Sequence, residues 1–330
     1  MRVQLLGALA LLLFAGMAEA KPLPPPTSGF ATSTDGTRIN YVDWGGSGPT
    51  VVMIHGLGDD PYVFGAVAQH LRKRFHIIAY ARRGHGHSDA PLDKAYDINA
   101  YVADMRAVFD RLHIDHASLV GWSMGGNEIT AFADKYPASV DKLIYLESGY
   151  DWSQADLGNR FEVIAPKKDD LASFGAYEKW WLRVWYGAGK PWVPAIAPYL
   201  RDTARIARNG TVTVVPTDAV MAKIFGGVGV PRDYVDLKAP VLAIYADRFF
   251  PDIPGDAAYN RDNAAFESQF DAFRDRSIAR IEREIPNASI CRLTDRTHMS
   301  IGFEHHAWLA RMITAFLSAP GSTRFDCHIR

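Results

Sequence analysis

The chain has little of several things, and each scarcity narrows what it can be. Two cysteines occur among 330 residues, and the one inside the folded body, Cys291, falls within a predicted strand with no turn motif around it. That excludes it as a presented nucleophile. The charge excess is equally small, 36 Lys and Arg against 37 Asp and Glu, with both signs interspersed. No basic surface for nucleic acid follows from that balance. Past the first twenty residues there is no long uninterrupted apolar run, so no stable membrane anchor is expected. Internal repeats are lacking, and the only biased stretch is Pro22-Leu-Pro-Pro-Pro26, read as an extended leader. The short Gly226-Gly-Val-Gly229 run lacks a following Lys-Ser/Thr, and is read as a connection and not a phosphate cradle.

The amino terminus does carry one apolar stretch. Arg2 precedes Leu5 to Met17, and Ala18-Glu-Ala20 supplies small residues at a cleavage position. Residues 1–20 therefore read as a signal peptide, and the mature chain as periplasmic or secreted. No cysteine stands at the cleavage site, so a lipid-attached form is not expected. In an oxidising compartment Cys291 and Cys327 are candidates to pair and pin the tail to the last strand; one buried and one free thiol is the alternative.

Strands are predicted near 37–43, 50–54, 75–80, 116–121, 141–147, 240–246 and 288–293, with helices at 62–73, 98–113, 126–135, 263–284 and 304–317. This alternation predicts an α/β protein with a mostly parallel central sheet and helices on both faces. The interval from Glu147 to Ala239 breaks the alternation and is too long for a plain loop. Residues 21–150 and 238–330 are thus read as two parts of one core, and 151–237 as an inserted, mainly helical cap. The insert is rich in aromatics, among them Tyr177, Trp181 and Trp185 at helical spacing, which serve first to pack it and in part to line an apolar pocket.

The chemistry-bearing motif is Gly121-Trp-Ser123-Met-Gly125, placed between an apolar strand and a helical pattern. A strand that turns sharply into a helix strains the serine and leaves room only for glycine two residues to either side. Ser123 is the candidate nucleophile. Upstream, Val51-Val-Met-Ile54 runs into His55-Gly-Leu-Gly-Asp59. This places the backbone N–H of Leu57, with that of Met124, as an oxyanion hole. His55 itself is read as a structural histidine at a turn, and Arg82, Arg83, His85 and His87 as a turn at a strand end. The base is expected late in the chain; His298, between the last predicted strand and the last helix, is the candidate, ahead of the helical His305 and His306.

Taken in order, the HGLGD loop, Ala81-Arg-Arg-Gly-His-Gly-His-Ser-Asp89, the GWSMGG elbow and the Thr297-His-Met-Ser-Ile-Gly-Phe-Glu304 segment resemble the α/β-hydrolase superfamily, over roughly residues 35–150 and 238–318. Within it they look like small serine esterases and cofactor-free haloperoxidases or perhydrolases. The resemblance implies the α/β-hydrolase fold, a catalytic triad, and neither metal nor organic cofactor. Serine at 123 sets the chain apart from dehalogenase and epoxide hydrolase relatives, which carry aspartate there. The acid departs from the usual pattern: the gapless alignment of Val241-Leu-Ala-Ile-Tyr-Ala-Asp247 puts Phe249 where an aspartate is expected. Glu147, after the sixth strand of the family pattern, is preferred as the acid, with Asp247 as the alternative. The expected activity is hydrolysis of small-molecule carboxylic esters with an apolar or aromatic part. The alternatives are peroxide-dependent chemistry at the same triad, and a binding protein that has lost catalysis.

Overall fold

The computed structural model describes residues 24–154, 160–228, 233, 234, 236–285, 287–320, 325 and 327. The proposed signal peptide lies outside them.

The strands are β1 (Thr27–Thr32), β2 (Arg38–Gly45), β3 (Thr50–Ile54), β4 (His76–Tyr80), β5 (Ala117–Trp122), β6 (Val140–Leu146), β7 (Ala204–Ile206), β8 (Val212–Val214), β9 (Val241–Arg248) and β10 (Ser289–Thr297). Eight of them form one sheet in the order β1-β2-β4-β3-β5-β6-β9-β10; β2 runs antiparallel to its neighbours β1 and β4, and the remaining pairings are parallel. Strands covered on both faces need continuous apolar sequence, not alternation. Val51–Ile54 and all of β5 are accordingly buried.

The helices are α1 (Gly65–Leu71), α2 (Ile98–Leu112), α3 (Gly125–Lys135), α4 (Arg160–Ile164), α5 (Phe174–Trp181), α6 (Ile196–Asp202), α7 (Asp218–Val228), α8 (Ala257–Glu284), α9 (Ser300–Phe303) and α10 (His306–Ser318). On α2 and α10 one apolar stripe is buried, by Val102, Met105, Val108 and Phe109 and by Leu309, Met312, Ile313 and Phe316.

Three features depart from the sequence expectation. β1 was not anticipated: it is a polar edge strand in which only Ala31 is buried, so no apolar pattern announces it. α8 begins at Ala257, six residues before the expected start, where the Asp256 side chain accepts from Tyr259 N at 3.0 Å and caps a stretch without apolar periodicity. Gly226 and Gly227 belong to α7 and not to a connection; Gly229 lies outside the described residues.

Between β6 and β9 the chain forms α4 to α7 and the small β7–β8 ribbon. This interval packs onto loops at the carboxyl ends of the sheet strands. Tyr199 on α6 donates to Asp59, His87 meets Asp202 at 3.0 Å, and the Trp181 ring packs on Phe303. At the far edge Cys291 on β10 is disulfide-bonded to Cys327, tying the tail to the sheet.

Candidate active site

Ser123 follows β5 directly and has φ of 53°, a left-handed conformation that costs a non-glycine residue about 1–3 kcal/mol. Tertiary structure enforces it: Ser123 N donates to Leu146 O at 2.9 Å, and α3 starts two residues later. The flanking glycines are required by approach of backbone. A Cβ at Gly121 would lie 2.7 Å from the Gly125 carbonyl, and one at Gly125 would lie 2.4 Å from Ile54 O. The serine is thereby held at the amino end of α3, where unpaired N–H groups and the helix dipole favour developing negative charge.

The HGLGD loop lies against this elbow; a Cβ at Gly56 would stand 3.0 Å from Ser123 Cβ. The loop's shape is set by residues that sequence reasoning had assigned to a simple turn. Arg82, fully buried, donates to His55 O at 2.9 Å and Gly56 O at 3.2 Å, and is paired with the buried Glu128, which also accepts from Tyr80 OH at 2.9 Å. Arg82 N donates to His55 Nε2 at 3.0 Å, so the His55 proton resides on Nδ1, which donates to Gly56 O at 2.7 Å. Gly58 N donates to His85 Nε2 at 3.2 Å. Burial, reinforced by Arg82, pushes both imidazoles well below the ordinary histidine range, so both are neutral acceptors. The available signal was an Arg-Arg-x-His run immediately after an apolar strand, where charged side chains must find buried partners.

His298 is buried, and its Nδ1 lies 3.1 Å from Glu147 Oε2. Glu147 is fully buried at the end of β6, has φ of 50°, and also accepts from Ala246 N on β9. The Trp122 ring, one residue before the nucleophile, packs edge-on to the His298 ring at 6.1 Å. Asp247 does not reach the histidine. Its two oxygens accept from Asp295 N at 2.8 Å and Arg296 N at 2.9 Å, fixing the irregular end of β10. His306 is engaged elsewhere, 3.0 Å from His70, and His305 lies 3.6 Å from Glu304. Phe249, at the position where the family pattern has its acid, stacks on His298 with ring centroids 4.2 Å apart.

Asp59 is a further buried group at the site that the sequence did not single out. Its carboxylate covers Gly56 and accepts from Tyr199 OH at 2.7 Å; burial raises its pKa, partly offset by Tyr199 and His298. Leu57 and Met124 adjoin a separate apolar cluster with Tyr96, Tyr101, Val220, Met221 and Ile224. Among the described residues no group of three or more His, Cys, Asp or Glu is placed to hold a metal ion. Nor is any helix among them long and apolar enough to cross a membrane.

A strained serine at a helix amino terminus, an imidazole tied through Nδ1 to a carboxylate, and a loop with backbone donors beside the serine are what nucleophilic acyl transfer requires. Residues 49–166 match the family model described as alpha/beta hydrolase fold. An uncharacterized protein of Mycobacterium tuberculosis is 36% identical over 133 residues, 40% of this chain and 38% of that protein. The chain thus spans about two fifths of the length of its mycobacterial relatives. A 2-(acetamidomethylene)succinate hydrolase of Mesorhizobium japonicum is 36% identical over 207 residues, 60% of this chain and 70% of that protein. The crystal structure of an E-2-(acetamidomethylene)succinate hydrolase superposes with a TM-score of 0.68 at 23% identity, covering 89% of this chain and 100% of that one. With its β-strand order, elbow and matched segments, this chain belongs to the α/β-hydrolase superfamily.

Proposed function

We propose that the protein is an exported serine hydrolase of carboxylic esters, and the pairing of His298 with Glu147, taken with the strained backbone of Ser123, carries this reading. Ser123 Oγ attacks the ester carbonyl carbon while its proton passes to His298 Nε2. The backbone N–H groups of Leu57 and Met124 receive the charge that develops on the carbonyl oxygen. Collapse breaks the bond to the alcohol oxygen, which takes the proton from His298. Water then repeats the sequence on the acyl-enzyme and releases the acid. Glu147 keeps the proton on His298 Nδ1 and stabilises the imidazolium.

Residues 151–237 act as a cap in this account, and the Tyr199–Asp59 hydrogen bond between insert and oxyanion loop supports it. The cluster of Tyr96, Tyr101, Val220 and Ile224 next to Met124 favours esters with an apolar or aromatic part. The apolar leader and the Cys291–Cys327 bond support export to the periplasm or medium.

A panel of nitrophenyl and naphthyl esters of increasing acyl length, run with native protein and Ser123→Ala, tests the proposal. Turnover that rises with apolar acyl size and vanishes in Ser123→Ala is expected. Turnover that persists in Ser123→Ala, or is confined to charged acyl groups, contradicts it.

A further inference from the structure

We infer that Phe249 is a positioning residue for His298, its ring face stabilising the imidazolium formed when Ser123 gives up its proton. This rests on the serine hydrolase reading above. The two rings lie nearly parallel, with centroids 4.2 Å apart and planes inclined by 15°. The backbone adds a second tie: His298 N donates to Phe249 O at 3.2 Å.

Phe249 is not a loosely placed apolar residue. Its N–H and that of Phe250 both donate to the Glu267 carboxylate on α8, at 2.9 Å and 2.8 Å, so the turn after β9 is anchored from a second element. Its ring is packed by Phe250 at 4.8 Å and Phe270 at 4.7 Å, with Phe161 edge-on at 5.7 Å. Only 3% of it is exposed.

The imidazole is therefore held in two independent ways. Glu147 fixes it through Nδ1, and Phe249 fixes its tilt by covering one face. A neutral imidazole gains from this cover only dispersion and shape. An imidazolium gains in addition the attraction of a cation for the negative face of the ring. The cationic form exists during the proton transfer from Ser123 Oγ to His298 Nε2, so the interaction strengthens toward the transition state. It thus acts on the step for which the usual pattern has an aspartate at this position, while the full negative charge comes from Glu147.

Fluorination separates the two contributions, because it weakens the ring's negative face while nearly preserving its shape and apolarity. Mono-, di- and trifluorophenylalanine are placed at 249 in the full chain, alongside Phe249→Leu. Acylation is followed as the rate of fluorophosphonate labelling at Ser123, kcat and KM are measured on an activated ester, and thermal melts verify folding. We expect log kcat and log labelling rate to fall stepwise with fluorine number, reaching about a tenfold loss. KM should stay within about twofold, and Phe249→Leu should match the most fluorinated form. Equal rates across the fluorinated series, with native folding, overturn the inference. Absence of Ser123 labelling in the unsubstituted protein overturns the serine hydrolase reading instead, a result distinct from a flat series.

Discussion

Replacing Glu147 by Gln keeps the size of the side chain and its acceptor for Ala246 N but removes the charge 3.1 Å from His298 Nδ1. With charge centres about 4 Å apart and an effective dielectric of about 20, the lost attraction to an imidazolium is about 4 kcal/mol. That corresponds to about three decades in rate. The amide can also present its NH2 to Nδ1, which favours the wrong tautomer and adds to the loss. Folding should be nearly unaffected, since the buried charge is removed while most of its hydrogen bonding is kept; a change of about 1 kcal/mol moves Tm by about 2–4 °C. Asp247→Asn should behave in the opposite way. A single amide oxygen replaces two that accept from Asp295 N and Arg296 N. About 1–2 kcal/mol of stability is lost, with kcat unchanged within about threefold, or about 0.7 kcal/mol. The assay is steady-state ester hydrolysis with a thermal melt for each protein. Equal, small losses of kcat in both, or a larger one in Asp247→Asn, would refute the assignment of the acid.

Gly125→Ala places a Cβ 2.4 Å from Ile54 O; backbone must move, at about 1–3 kcal/mol, and both Tm and Ser123 labelling should fall. Cys327→Ser opens a loop of sequence separation 36, worth about 4 kcal/mol by chain entropy. The urea midpoint should drop while kcat on the same esters is unchanged. Burial lowers the His70 and His306 pKa values, His306 adding to the effect at His70, so both folded values lie below the unfolded 6.5. In that window the unfolded chain binds more protons, so stability present above about pH 6.5 is lost as pH falls. His70→Asn should lessen the decline in Tm between about pH 7 and pH 5; an unchanged decline contradicts this.

The parts of the fold most legible in the sequence are those whose residues answer to one periodicity. β3 and β5 are buried on both faces and so read as unbroken apolar runs, while α2 and α10 each bury one stripe. β1 and the first turns of α8 were hidden, because an edge strand and a capped polar helix start need few apolar residues. At the site, Ser123 and the flanking glycines are visible because steric demands act on adjacent positions. The geometry between Glu147 and His298 joins residues 151 positions apart, which spacing along the chain does not encode. Arg82, Glu128, His85, Asp59 and Phe249 were hidden in the same way. Each is a polar or aromatic group whose role is defined by a partner on another element, such as the Arg82–Glu128 pair or the Phe249–His298 stack.

In the proposed mechanism everything depends on His298 activating Ser123. Fluorophosphonate labelling of the native protein followed by peptide mass mapping, with His298→Ala as the control, reads that activation. A single modified peptide carrying Ser123 is expected, with loss of that modification in folded His298→Ala. A folded native protein left unmodified, or equal labelling of Ser123 without His298, would contradict it.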